Sequence, residues 1–300
     1  MDRREFVERL GALAVLPVAG WEQPSPRLTK PIPSTGERIP VIGMGTWLTF
    51  NAGRSAEAHA RLRPVLQAFF DNGGRLIDSS PMYNSSEYVV GRLLPQMRSR
   101  PATFAASKVW IFGKRIGVAQ MEESRKLWGV ARFDLMQVHN LMDWEGHLET
   151  LKEWKAAGRV RYIGVTTSHG RRHDELERIM QREPLDSVQV TYNLADRSAD
   201  ARLLPLARER RMAVITNRPL DGGELFQRVR GKTIPAWAAE FDCQNWAQFF
   251  LKFVVSHPSV TCAIPATSQV AHMIENMGAS VGRLPDASLR RRMAAHFDSL

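Results

Sequence analysis

From Pro40 onward the chain alternates short β-rich runs with longer amphipathic ones, the pattern that βα units around a parallel sheet require. The strand candidates are Val41 to Trp47, Arg75 to Ser79, Phe104 to Val109, Leu135 to Asn140, Tyr162 to Thr167, Ser187 to Asn193, Ala213 to Arg218 and Val260 to Pro265. Between them, helical periodicity predicts helices over Ala58 to Phe70, Ser86 to Leu94, Leu148 to Ala157, Asp174 to Gln181, Ala199 to Arg210 and Asn245 to Ser256. Several strands are apolar at consecutive positions, as in Tyr162-Ile163-Gly164-Val165, which suits strands covered on both faces. Eight such strands favour closure over an open sheet. The expected fold is a single α/β domain, a (β/α)8 TIM barrel over residues 25–300. Gly73-Gly74 and Gly158, just ahead of strands, fit helix C-caps.

A chain of 300 residues with 44% hydrophobic content can fill the core of such a barrel, which takes about 250 residues. The net charge of +10 raises the question of nucleic acid or an anionic surface. Its arginines are scattered along helical stretches such as Arg202 to Arg211 and Arg290 to Arg292, which reads as solvated helix faces. No base-reading element accompanies them, so no nucleic-acid partner is expected. Cys243 and Cys262 are too few for a disulfide framework and sit in apolar surroundings, with a single bridge between them left open.

Residues 1–24 read differently from the rest. Arg3 and Arg4 precede Phe6 and a short uncharged apolar run from Leu10 to Ala19, closed by Gly20, an order resembling a twin-arginine export signal. Periplasmic location follows as the expectation, with export machinery as a partner and a cytoplasmic protein with a floppy extension as the alternative. No later segment reaches the roughly 18 consecutive apolar residues of a membrane span, so no stable membrane insertion is expected.

A parallel barrel builds its active site at the C-terminal ends of the strands, so polar residues that close apolar strands are the candidates. Asp78 closes the second strand, Lys108 the third and His139 the fourth, while Tyr83 follows Asp78 on the loop. Each alone has a structural reading: a helix cap, a solvated lysine, a packed tyrosine, a satisfied histidine. Together they suit carbonyl reduction, which needs a proton donor for the developing alkoxide. A free phenol titrates near 10, and the Lys108 ammonium is expected to draw Tyr83 down by ~2 units, worth ~2.7 kcal/mol of differential stabilisation. Asp78 would hold Lys108 charged, and His139 would orient the carbonyl.

The segment Arg75-Leu76-Ile77-Asp78-Ser79-Ser80-Pro81-Met82-Tyr83, with Ser86-Glu87 and Gly91, resembles the aldo/keto reductase signature. The likeness continues through Gly158 to Thr166, Gln189, and Ile264-Pro265-Ala266-Thr267-Ser268 with Glu275-Asn276, covering roughly residues 39–282. It implies a catalytic tetrad of Asp78, Tyr83, Lys108 and His139 and an extended nicotinamide cofactor across the barrel mouth, without a G-x-G-x-x-G loop. The resemblance assigns cofactor contacts to Thr46, Thr166, Thr167, Gln189, Asn217, Pro219, Leu220, Thr267, Ser268, Glu275 and Asn276. Asn217 stands where the family carries a stacking aromatic, so Trp47 or Tyr192 is the expected substitute. The bases that usually meet a 2′-phosphate are missing near Ala266, Ser268 and Gln269, and His272 stands where an Arg is frequent. The N-terminus of a helix near Val270 can still meet a phosphate. By family habit NADP(H) is expected ahead of NAD(H), with no metal.

Trp47, Trp110 and Trp144, with Phe112 and Phe50, are the expected lining of a pocket for a small carbonyl substrate. An alternative within the family is a cofactor-binding regulatory or sensor subunit with little turnover. A third reading, metal-dependent hydrolysis using His139, Asp143 and His147, or His169 and His173, lacks ligands converging from several strand ends.

Overall fold

The computed structural model describes residues 26–98 and 102–300. The segment read above as an export signal, residues 1–24, lies outside the described residues. In chain order the elements are β1 (Thr29–Pro31), β2 (Arg38–Pro40), β3 (Met44–Gly45), α1 (Ala56–Asp71), β4 (Leu76–Asp78), α2 (Ser86–Leu93), β5 (Phe104–Val109), α3 (Lys114–Trp128), β6 (Phe133–His139) and α4 (Trp144–Ala156). They continue with β7 (Val160–Thr166), α5 (His173–Arg182), β8 (Ser187–Thr191), α6 (Leu203–Glu209), β9 (Ala213–Asn217), α7 (Glu224–Arg228), α8 (Trp246–Val255), β10 (Val260–Ala263), α9 (Val270–Gly278) and α10 (Ala287–Asp298). Strands β3 to β10 are parallel neighbours in sequence order, and bridges Ile42 to Ala263 and Gly45 to Ala266 close the ring. The fold is therefore the (β/α)8 barrel.

The two-residue period of a strand explains what fills it. On β5, Phe104 and Ala106 join Leu76, Leu135, Tyr162, Ile215 and Ile264 in an apolar cluster inside the barrel, whereas Ala105 and Val109 pack outward under the helices. Ile32 and Ile39, from either side of the turn joining β1 and β2, plug the floor of that cluster. Burying each is worth roughly 1.5–3 kcal/mol. This antiparallel hairpin was not expected from the sequence, because strands of three residues ending in Pro31 and Pro40 carry almost no periodic signal.

Other differences have local causes. The first barrel strand, expected over Val41 to Trp47, is only Met44–Gly45. A Cβ on Gly43 would lie 2.9 Å from the Leu76 carbonyl oxygen, and one on Gly45 2.8 Å from that of Ile264, so the chain here is pressed between both neighbours at the closure. The helix expected over Ala199 to Arg210 splits into a short 3-10 turn, Ser198–Asp200, and α6. Pro205 lacks an amide hydrogen and its ring crowds the carbonyl four residues earlier, so it suits only the first turn of α6. Gly73 and Gly158 adopt φ of +79° and +72° just beyond the ends of α1 and α4, as expected of C-cap glycines. Cys243 and Cys262 are both free and buried, which removes the bridge left open above.

Candidate active site

Continuing the inward register of each strand from the apolar floor reaches polar side chains at the rim. Leu76 is followed two residues on by Asp78, Ala106 by Lys108, Leu135 by Gln137 and then His139, and Ser187 by Gln189. All of these are buried. Lys108 and Asp78 form an ion pair, and the ammonium also donates to the Ser79 carbonyl at 2.8 Å. The other Asp78 oxygen, Oδ1, accepts from Gln189 Nε2 at 2.9 Å and more weakly from Gln137 Nε2 at 3.4 Å. Burial opposes the charge on Lys108, yet Asp78 and the nearby phenol outweigh it and hold its pKa above the ordinary lysine value.

Tyr83 ends a one-turn 3-10 helix, Pro81–Tyr83, capped by Ser80 with Pro81 at its first position. Its ring centroid lies 5.1 Å from Lys108 Nζ and 5.6 Å from the His139 ring, which it meets edge-on. Two of the three ammonium protons are used by Asp78 and Ser79, leaving one for the phenol side. The expectation that Lys108 brings this phenol below 10 is corrected: burial pushes Tyr83 above its ordinary value, and Lys108 only partly offsets it. His139 lies well below the ordinary histidine range, first through burial and then through Lys108, so its imidazole is neutral at neutral pH. Its Nδ1 sits 2.8 Å from Ser80 Oγ.

A cavity of about 650 Å³ opens over this cluster. Asp78, Tyr83 and His139 line it together with Thr46, Trp47, Gln189, Asn217, Pro219, Leu220, Thr267, Glu275 and Asn276. Lys108 sits fully buried behind Tyr83 and Asp78, while Thr166, Thr167 and Ser268 fall outside the lining residues. Thr46 has its hydroxyl 2.8 Å from Ser79 Oγ. Thr166 reaches the Gln189 side-chain oxygen at 3.3 Å, and Thr167 has a buried hydroxyl with no partner among the described residues. Asn217 accepts from Thr191 Oγ1 at 2.7 Å and donates to the Thr167 carbonyl at 2.8 Å.

The aromatic lining needs correction. Trp47 faces the cavity, but Trp110 and Trp144 do not line it; the backbone of Trp110 is pinned by Gln120, and Trp144 packs on the core at the start of α4. Phe50 is wholly buried and Phe112 is exposed away from the cavity wall. Tyr192 cannot replace the missing stacking ring, since it is buried against Phe253 with its hydroxyl held by Asp200 and Arg290. Lining residues to which the sequence reading assigned no cofactor or substrate contact include Arg218, Phe226 and His169, the last weighed there only as a metal ligand. Arg218 has φ of +48°, pairs with Asp221 at 2.7 Å and keeps a buried Nε that has no partner among the described residues. Its place directly after a strand-end Asn was the available signal. Among the described residues there is no cluster of three or more His, Cys, Asp or Glu able to hold a metal, and no helix is long and apolar enough to cross a membrane.

Residues 41–295 match the family model described as aldo/keto reductase family. An aldo-keto reductase of Bacillus subtilis, YhdN, is 28% identical, the match covering 61% of this chain and 59% of that protein. The NADH-specific methylglyoxal reductase of Escherichia coli is 23% identical over 69% of this chain and 72% of its own length. A crystal structure of an aldo/keto reductase from Klebsiella pneumoniae, in complex with NADP and acetate, superposes with a TM-score of 0.70 at 25% identity, covering 87% of this chain and 93% of that one.

Proposed function

The chain belongs to the aldo/keto reductase family, and on that premise we propose that it is an NAD(P)H-dependent oxidoreductase reducing an aldehyde or ketone to an alcohol, with Tyr83 as general acid. The observation that carries the reading is the convergence of Asp78, Lys108, Tyr83 and His139 at one end of a cavity that runs on to Asn217, Leu220 and Asn276.

A nicotinamide dinucleotide fits the residues present. Arg218 lines the cavity and its Nε, without a partner among the described residues, offers a hydrogen-bond donor to a polar, anionic guest. The first amides of α9 follow Gln269, whose side chain makes no capping bond, so they too can meet a phosphate. Thr46, Gln189 and Asn217 would hold the nicotinamide end, with Thr166 and Thr167 bracing Gln189 and Asn217 from behind, Pro219 and Leu220 the middle, and Thr267, Glu275 and Asn276 the far end. Bound there, the cofactor supplies a hydride for the carbonyl carbon. Tyr83 donates its proton to the carbonyl oxygen, and Lys108 stabilises the phenolate left behind. Asp78 keeps Lys108 charged and in place, and the neutral His139 holds the carbonyl oxygen by a hydrogen bond.

NADP(H) is proposed ahead of NAD(H), in line with the NADP bound in the Klebsiella structure. The selectivity should be modest, because the far end of the cavity presents Thr267, His272, Glu275 and Asn276 and no Lys or Arg among the described residues. Residues 1–24 are proposed to direct export of the folded, loaded protein to the periplasm, on the strength of Arg3, Arg4 and the apolar run after them.

Titration with NADPH and NADH by protein fluorescence, followed by a turnover screen on aromatic and aliphatic aldehydes, tests the reading. Binding with consumption of the reduced cofactor is the expected result. Binding without turnover of any carbonyl would favour a sensor subunit, and no binding of either cofactor would contradict the proposal.

A further inference from the structure

Ser80 is fully buried, and among the described residues its hydroxyl has two partners: the Met82 amide at 3.2 Å and His139 Nδ1 at 2.8 Å. The Met82 N–H can only donate, so Ser80 Oγ accepts there. Were Nδ1 also protonated and donating to Oγ, the serine proton would be left buried with no acceptor, a costly arrangement. The arrangement that satisfies every atom has Ser80 O–H donating to an unprotonated Nδ1. In a neutral imidazole that leaves the proton on Nε2, the nitrogen with no protein partner among the described residues, on a ring that lines the cavity. The same serine accepts the Tyr83 amide on its carbonyl at 2.9 Å, so one residue fixes the turn that carries the acid and the tautomer of its neighbour.

We infer that Ser80 is a positioning residue that locks His139 as the Nε2–H tautomer, making the ring a hydrogen-bond donor toward the carbonyl oxygen of the reactant. The inference rests on the reductase reading above. A donor at that point favours a carbonyl or alkoxide oxygen, whereas the other tautomer would present a lone pair and repel it.

The test is ¹⁵N NMR of imidazole-labelled full-length protein, the His139 signals being assigned by their absence from His139→Asn, together with kinetics of Ser80→Ala and Ser80→Thr. The wild-type ring should carry its proton on Nε2. Ser80→Ala should lose the single tautomer and about tenfold in kcat/KM for the carbonyl, with NADPH affinity kept within about twofold, and Ser80→Thr should restore much of the loss. A wild-type ring protonated on Nδ1 overturns the inference, as does Ser80→Ala with both tautomer and kcat/KM unchanged. If Ser80→Ala does not fold, the wild-type spectrum alone supports or overturns it. Failure of the reductase reading is separate, for it appears as a wild-type protein that turns over no carbonyl.

Discussion

Burial drives the His139 imidazole well below its ordinary pKa, and Lys108 pushes in the same direction. Burial also lifts the Tyr83 phenol above 10 against the pull of Lys108. A raised phenol pKa keeps the acid protonated through the neutral range, which is the form that reduction requires. The ring of His139 stays uncharged down to a pH well under 6.5. These two directions give a pH profile: kcat/KM for carbonyl reduction should be flat between about pH 6 and 9 and fall only as the phenol ionises above about 10, while alcohol oxidation, which needs the phenolate, should rise across that upper limb. Initial rates in both directions against pH check this. A reduction limb with a midpoint near 6.5 would mean that a protonated His139 intrudes and that its burial does not govern it.

The strands and helices carried most of what was legible in the sequence, since apolar runs and helical periods are local properties. The seven strands from β4 to β10 fall within the expected segments to within a few residues at each end. What escaped were features set by contacts between distant residues: the hairpin under the floor, the pinched β3, and the partners of strand-end side chains. Asp78, Lys108 and His139 could be picked out because each follows an apolar alternation at a strand end. The bonds from Gln189 to Asp78 and from Ser80 to His139 join residues 111 and 59 positions apart, and no local pattern announces them. Gly91 shows the same limit. A Cβ there would lie 1.8 Å from the Leu127 carbonyl oxygen, so α2 rests directly on the backbone of α3. Gly91→Ala should therefore force the helices apart and cost about 2 kcal/mol or more, read as a fall in Tm of about 5 °C by thermal denaturation. An unchanged Tm would show that α2 can shift without loss.

At the scale of the whole molecule, a closed ring of strands fixes the spacing between groups on β4, β5 and β6, and a cavity of about 650 Å³ opens over them. If residues 1–24 direct twin-arginine export, Arg3→Lys with Arg4→Lys should trap the full chain in the cytosol, which cell fractionation reads directly; unchanged location would remove the export proposal. The central claim is that this barrel transfers a hydride with Tyr83 delivering the proton. The measurement that tests it most directly is turnover of an accepted aldehyde by Tyr83→Phe, alongside the dissociation constant of the reduced cofactor. Loss of the hydroxyl alone should lower kcat by at least about 100-fold while cofactor affinity stays within about twofold. A variant that keeps most of its kcat would contradict the account.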